Sequence, residues 1–170
     1  MISLPDSVLS LDPHLFEKVA SLQSFNVSPD NPNYSSLDGA LYNKDMTEIL
    51  LCPRAKTSIT LPSSVTTIGE EAFYCSSLVS IILPSGVTTV GTRAFYCCSS
   101  LESITIPSTV TSFDTNFRGC ASLTTINYGG TINQWRELCP GQLFSPFEPG
   151  PESVVVHCTD GDITVDNWFF

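Results

Sequence analysis

The sequence predicts a solenoid, mainly β with short helical turns, in which similar coils stack and each buries its apolar side chains against its neighbours. Three observations carry this. One segment is written three times at a spacing of 22 to 23 residues: Leu61-Pro62 through Leu78, Leu83-Pro84 through Leu101, and a looser copy from Ile106-Pro107 through Val110, Phe113, Phe117 and Cys120 to Leu123. Each copy is entered through an apolar alternation that a proline stops. At 170 residues and 42% hydrophobic the chain can bury one sizeable core, while charged residues fall to 14% and leave Ser and Thr to fill the polar positions.

Within a unit the elements follow from spacing. Leu78, Ile81 and Leu83 match Leu101, Ile104 and Ile106, then Leu123, Ile126 and Tyr128. The last two of each set have the two-residue period of a strand, so Ile81 and Leu83 are expected to face inward. Proline directly afterwards ends the ladder, because it has no N–H to donate. The β-branched run from Val65 to Ile68, repeated from Val87 to Val90, is expected to form a second extended stretch on the opposite wall. Gly69 and Gly91 are then expected to permit a tight turn, and Ala72–Phe73 and Ala94–Phe95 to pack inward as a short helical turn.

The template divides the chain into four stretches. Residues 1–27 form a degenerate first repeat: Phe16 follows Pro5 by eleven residues, as Phe73 follows Pro62, and Leu22, Phe25 and Val27 make the next strand. This copy opens inside its own strand with no polar cap, so that end is expected to meet further repeats or another chain. Residues 28–57 interrupt the period. Turn formers run from Ser28 to Asn33, and Ala40–Tyr42 and Glu48–Leu51 flank a five-residue loop, a hairpin expected to project from the solenoid edge. Residues 58–128 are the regular repeats. Residues 129–170 form a C-terminal cap: a short helix covering the last coil with Ile132 and Trp135, a proline-rich loop at 139–151, a final hairpin turned at Asp160-Gly161, and an apolar tail, Trp168 to Phe170.

The repeated unit has Ile or Leu before proline, then Val65, Ile68, Gly69, Ala72, Phe73, Cys75 and Leu78 with their equivalents. It resembles the BspA-type leucine-rich repeat of bacterial surface proteins. The insertion from Asn31 to Asp45 resembles a hairpin common in that family, as does the ending with Gly130, Trp135 and Val156 to Gly161. The resemblance covers nearly the whole chain. It implies a leucine-rich repeat, right-handed and curved solenoid, horseshoe-like, extracellular or at the cell surface, used for adhesion or for binding proteins and glycans. Departures are local: one residue is missing between Phe73 and Leu78, another between Pro107 and Phe117, and Asp114 replaces a turn glycine.

Charge narrows the partners. A net charge of -10 and a pI of about 4.3 speak against nucleic acid, whose affinity rests on Lys and Arg, and against an anionic membrane surface. No apolar run approaches the roughly 20 residues of a membrane-spanning helix. The first twenty residues lack the pattern of a secretory signal, so the chain is expected to be cytosolic, a mature form, or a fragment of something longer.

Seven cysteines leave at least one unpaired within the chain. Cys75, Cys98 and Cys120 recur at one repeat position and are expected to be buried free thiols. Cys139 and Cys158 are candidates for a disulfide that the sequence leaves open. No Cys-x-x-Cys pair supports zinc. His14 and His157 read as surface or packing residues, and Asp160-Gly161-Asp162 as a turn rather than a calcium loop. No nucleophile, acid–base pair or phosphate-cradling loop is present in motif form. The chain is therefore expected to be non-enzymatic, with no cofactor or metal.

Binding is read from the rows that stacked coils create. At a coil spacing of about 4.8 Å, Ser24, Ser58, Ser80, Ser103 and Thr125 are expected to form one outward row, and Asn26, Thr60, Ile82, Thr105 and Asn127 a second. The candidate surface is Ser80, Ile82, Ser103, Thr105, Thr125 and Asn127, with Tyr34 and Tyr42 of the insertion, and Phe144 and Phe147 of the proline-rich loop, as aromatic anchors. A recognition or adhesion module for a protein or glycan is one reading. A structural spacer displaying another domain is the other. An exposed aromatic or apolar patch near the rows favours the first, and a uniformly hydrophilic face the second.

Overall fold

A computed structural model describes residues 1–16, 19–113, 117–140, 151 and 153–166. The chain winds into a β-solenoid of about five turns. In each regular unit one strand of the first wall and one of the second are joined by turns, and both walls bury the same repeat positions.

The first wall holds β7 (Ser80–Ile82), β9 (Ser103–Ile106), β11 (Thr125–Tyr128), β12 (Ser153–Cys158) and β13 (Gly161–Asp166), with β7 at one edge and β13 at the other. Strands β7, β9, β11 and β12 run parallel, in a register that sets Ile81 against Ile104, Ile104 against Ile126 and Ile126 against Val156. Those four side chains are buried, as are Leu83 and Ile106. The alternation seen in the sequence therefore sets which residues form the core.

The second wall is β10 (Ser112–Phe113), β8 (Thr89–Val90), β6 (Thr67–Ile68), β5 (Glu48–Leu51), β4 (Ala40–Asn43) and β3 (Tyr34–Leu37), in that order. Two findings here differ from expectation. Residues 28–57 carry three strands rather than two, since Asp38 (φ 49°) and Gly39 (φ 76°) turn β3 into β4. The insertion also continues the second wall instead of projecting from it, because β5 pairs in parallel with β6. Asn43 shapes the following loop: its side-chain oxygen accepts from the N–H groups of Thr47 (2.9 Å) and Glu48 (3.0 Å).

The two regular glycines serve a purpose other than the expected one. Neither has positive φ; the left-handed residues of these turns are Glu71 and Arg93, and Cys75 and Cys97. A Cβ on Gly69 would stand 2.7 Å from the Ile49 carbonyl oxygen, and one on Gly91 2.8 Å from the Glu70 nitrogen. Glycine is required by the close approach of the adjacent coil. The stretch around Ala72–Phe73 and Ala94–Phe95 is a run of turns that buries both pairs.

The core forms two clusters. The larger follows the regular coils and contains the ladder Phe73–Phe95–Phe117, with ring centroids 5.1 and 6.0 Å apart. The smaller gathers Leu4, Leu22, Phe25, Val27, Leu41 and Leu51 around the first coil. There β1 (Ile2–Leu4) pairs in parallel with β2 (Phe25–Val27), and a 3-10 turn spans Pro13–Phe16.

At the other end α1 (Ile132–Leu138) covers the last coil. Thr131 and Gln134 form a reciprocal capping box, and Trp135 is buried beside Tyr128 with ring centroids 5.3 Å apart. The antiparallel β12–β13 hairpin completes this cap. Among the described residues no helix is long and apolar enough to cross a membrane. The expectations attached to Asp114, to Phe144 and Phe147 and to Trp168 to Phe170 lie outside the described residues, as does the side chain of His14.

Candidate binding surfaces

Parallel pairing puts the outward side chains of the first wall in register. One row is Ser80, Ser103, Thr125 and Val155, and the next is Ile82, Thr105, Asn127 and His157. Ser80, Ile82 and Asn127 are exposed, and Ser103, Thr105 and Thr125 are half-buried. On the cap, His157 Nδ1 lies 2.9 Å from Asp162 Oδ1 and ends the second row in a polar pair.

Both rows are shorter than the sequence suggests. Asn26 belongs to the β1–β2 pair and Ser24 directly precedes β2, while Ser58 and Thr60 lie outside any strand. The coil before β7 is held to it upstream, where the Ser77 N–H donates to the Arg54 oxygen (2.9 Å) and the Val79 N–H to the Thr57 oxygen (3.3 Å). Beyond that point no ladder joins Ser58–Leu61 to β7. A cleft of about 490 Å³ opens between the two coils, with Ser58, Thr60, Ser80 and Ile82 on its walls and Leu61 and Ile81 deeper in. Ile82 at its rim is 71% exposed and Val79 41%.

The two tyrosines of the insertion have other places. Tyr42 is fully buried on β4, and its hydroxyl finds no hydrogen-bond partner among the described residues. It is a core residue and offers no surface, because β4 packs on both of its faces. Tyr34 is half-buried against the smaller cluster, with its hydroxyl accepting from the Leu11 N–H at 2.8 Å.

The turn edge of the coils carries a second arrangement, which sequence reasoning passed over. Tyr74 and Tyr96 stack with centroids 5.5 Å apart and planes 2° from parallel. The guanidinium carbons of Arg118 and Arg93 lie 6.0 and 5.9 Å from the Tyr96 ring centre. Tyr74, Tyr96 and Arg118 directly follow Phe73, Phe95 and Phe117 of the buried ladder, so one register builds both columns. The signal was present in the sequence as Phe-Tyr-Cys written twice.

That register also revises the cysteine alignment. Cys75 is half-buried and has positive φ, as does Cys97, while Gly119 takes their place in the next coil. The inward position belongs to Ser76, Cys98 and Cys120, all buried. Cys98 Sγ lies 2.9 Å from the Phe73 oxygen and Cys120 Sγ 3.1 Å from the Phe95 oxygen. The residue missing after Phe73 falls behind Ser76, which shifts the apparent match by one. Cys139 and Cys158 are half-buried free thiols. Among the described residues no three His, Cys, Asp or Glu side chains gather as a metal site would require.

Comparison with known proteins agrees with this architecture. The family model of the BspA type leucine rich repeat region matches residues 52–139. A crystal structure of a leucine-rich repeat protein from Eubacterium ventriosum ATCC 27560 is similar with a TM-score of 0.69 and 35% identity, over 75% of this chain and 36% of that one. The pneumococcal vaccine antigen PcpA is similar with a TM-score of 0.62 and 26% identity, over 78% of this chain and 39% of that one. The chain thus spans less than two-fifths of either structure. Among curated proteins nothing matches.

Proposed function

Since the chain belongs to the BspA-type leucine-rich repeat family, we propose that it is a non-enzymatic recognition module that binds a protein partner at the cell exterior through the first wall. The observation that carries this reading is the cleft beside β7. Ile82 stands 71% exposed at its rim in an otherwise polar row. Behind Ile82, the edge of β7 offers backbone groups that no neighbouring strand among the described residues pairs with. A segment in extended conformation gains hydrogen bonds at such an edge and an apolar contact beside it.

A glycan is the less favoured ligand, because a bare isoleucine gives a sugar little to hydrogen-bond. A spacer without a ligand of its own predicts a uniformly hydrophilic face, against which Ile82 and Val79 argue. An exterior location accords with a family commonly associated with surfaces and with a vaccine antigen among the similar structures.

The test is a protein and glycan array probed with the folded chain and with an Ile82→Glu variant. Protein hits that the variant loses at least tenfold support the reading. Silence of the folded chain, or hits that Ile82→Glu leaves unchanged, would overturn it.

A further inference from the structure

Cys75 and Cys97 occupy the same position in successive coils, and we propose that they are a cross-linking dithiol which a small-molecule disulfide oxidises to a bridge between the coils. The register comes from the backbone. The Cys75 N–H donates to the Tyr96 oxygen at 2.8 Å, and the Cys97 N–H to the Arg118 oxygen at 2.7 Å. In a parallel arrangement a bond to the residue before the partner sets the two residues opposite each other, so Cys75 faces Cys97 and Cys97 faces Gly119. A coil spacing of about 4.8 Å falls inside the roughly 4.4–6.8 Å range of Cα separations that disulfides span.

Side-chain direction agrees. Both residues are left-handed, with φ of 52° and 57°, so their Cα–Cβ bonds leave the backbone alike. Cys97 Sγ lies 2.8 Å from where a Cβ on Gly119 would stand, which shows the thiol leaning toward the following coil. Cys75 shares the left-handed backbone of Cys97 one coil earlier, so the same direction is open to its thiol. Gly119 ends the column, leaving two thiols that can meet.

Access separates this pair from the other stacked cysteines. Cys75 and Cys97 line an open cleft of about 470 Å³ with Arg54, Ser77 and Ser99. Cys52, Cys98 and Cys120 are buried, and burial pushes the Cys52 thiol up to about 12 and raises that of Cys98. A thiolate is the nucleophile in disulfide exchange, so Cys52 and Cys98 stay inert, and burial alone keeps an oxidant from Cys120. In the proposed exchange one cysteine thiolate attacks the oxidant's S–S bond, forming a mixed disulfide and releasing one small thiol. The other thiolate attacks the protein sulfur of that mixed disulfide and releases the second small thiol. Two electrons and two protons pass from the protein dithiol to the oxidant.

The test is to incubate the folded chain with oxidised glutathione, remove the oxidant, titrate the remaining thiols in denaturant, and map tryptic peptides. The expected result is the loss of two of the seven thiols, a Cys75–Cys97 link and a higher Tm. Cys98→Ser keeps the link and removes ambiguity from the adjacent pair. Cys75→Ser and Cys97→Ser each abolish it and leave a single glutathione adduct. A link that persists in Cys97→Ser, a Cys98–Cys120 link, separate adducts on Cys75 and Cys97 without a bridge, or an unreacted Cys75 would each overturn the proposal.

Discussion

A methyl group added at Gly69 would press on the Ile49 carbonyl oxygen at 2.7 Å, and one at Gly91 on the Glu70 nitrogen at 2.8 Å. Both neighbours are backbone and cannot swing aside as a side chain would. Gly69→Ala and Gly91→Ala are therefore expected to cost about 1–3 kcal/mol each, as overpacking does. Gly86 supplies the control. Its nearest neighbours to an added Cβ are carbonyl oxygens at 3.6 Å, and its φ is not positive, so Gly86→Ala is expected to stabilise by about 0.4–1 kcal/mol through the unfolded chain. Urea unfolding of the three variants checks this; equal effects at all three positions would refute the close-approach account. The comparison also marks where sequence reasoning stops at the residue scale. That Gly69 and Gly91 are needed was legible from their recurrence. Why they are needed was not, because the atoms they make room for belong to another coil. The cysteines gave a similar difficulty: the doubled Cys97-Cys98 offers two alignments for Cys75, and backbone hydrogen bonds decide between them.

Among the elements, the insertion departs furthest from the repeat, and one side chain ties it to the first coil. Asn31 is fully buried. Its amide nitrogen donates to the Pro5 oxygen at 2.8 Å and the Val8 oxygen at 3.0 Å, while its oxygen accepts from the N–H groups of Asn33 and Tyr34, both at 2.9 Å. Every donor and acceptor of the side chain is used. Asn31→Asp keeps the shape but turns a carboxylate oxygen toward two carbonyls, which is expected to cost about 3 kcal/mol or more, the range for buried charged groups left without partners. Denaturant unfolding measures the loss, and amide exchange in residues 2–8 should report it before exchange in the regular repeats. A variant as stable as the parent chain would show that the clasp is dispensable. From sequence, Asn31 is one turn former among several. Its role depends on Pro5 and Val8, more than twenty residues away. The strands of the first wall were legible because burial there follows the two-residue period alone. Strand β3 was not, since Tyr34–Leu37 lacks an apolar alternation and sits between the turn formers that end at Asn33 and the hairpin arm that begins at Ala40. The cleft beside β7 was hidden for the opposite reason: Ser58 to Leu61 has the pattern of a strand, yet it forms none beside β7.

At the scale of the molecule, β4 decides how far a disturbance spreads. Ala40 and Tyr42 belong to the larger core cluster, and Leu41, facing the other way, to the smaller. One strand is therefore buried on both faces, which is why Tyr42 is a core residue and not a surface anchor. A stack of coils is stabilised by nearest-neighbour contacts, and here two stacks meet at a seam along β4 and its neighbour β5, where Ile49 belongs to the larger cluster and Leu51 to the smaller. Phe25 lies in the smaller cluster, packed edge-on to Phe16 with ring centroids 5.3 Å apart. Phe95 lies in the larger one, between Phe73 and Phe117. Truncating either to alanine is expected to cost about 3–5 kcal/mol locally, but the consequences should differ. Phe25→Ala is expected to release amide protection in residues 2–27 while residues 80–128 keep theirs, because Ala40 and Tyr42 still seal the larger cluster. Phe95→Ala removes the middle ring of the ladder and is expected to lower protection from β6 through β11 together. Hydrogen–deuterium exchange followed by mass spectrometry distinguishes the two patterns. If Phe25→Ala lowers protection evenly along the chain, the seam at β4 transmits unfolding instead of confining it, and the solenoid folds as one cooperative unit.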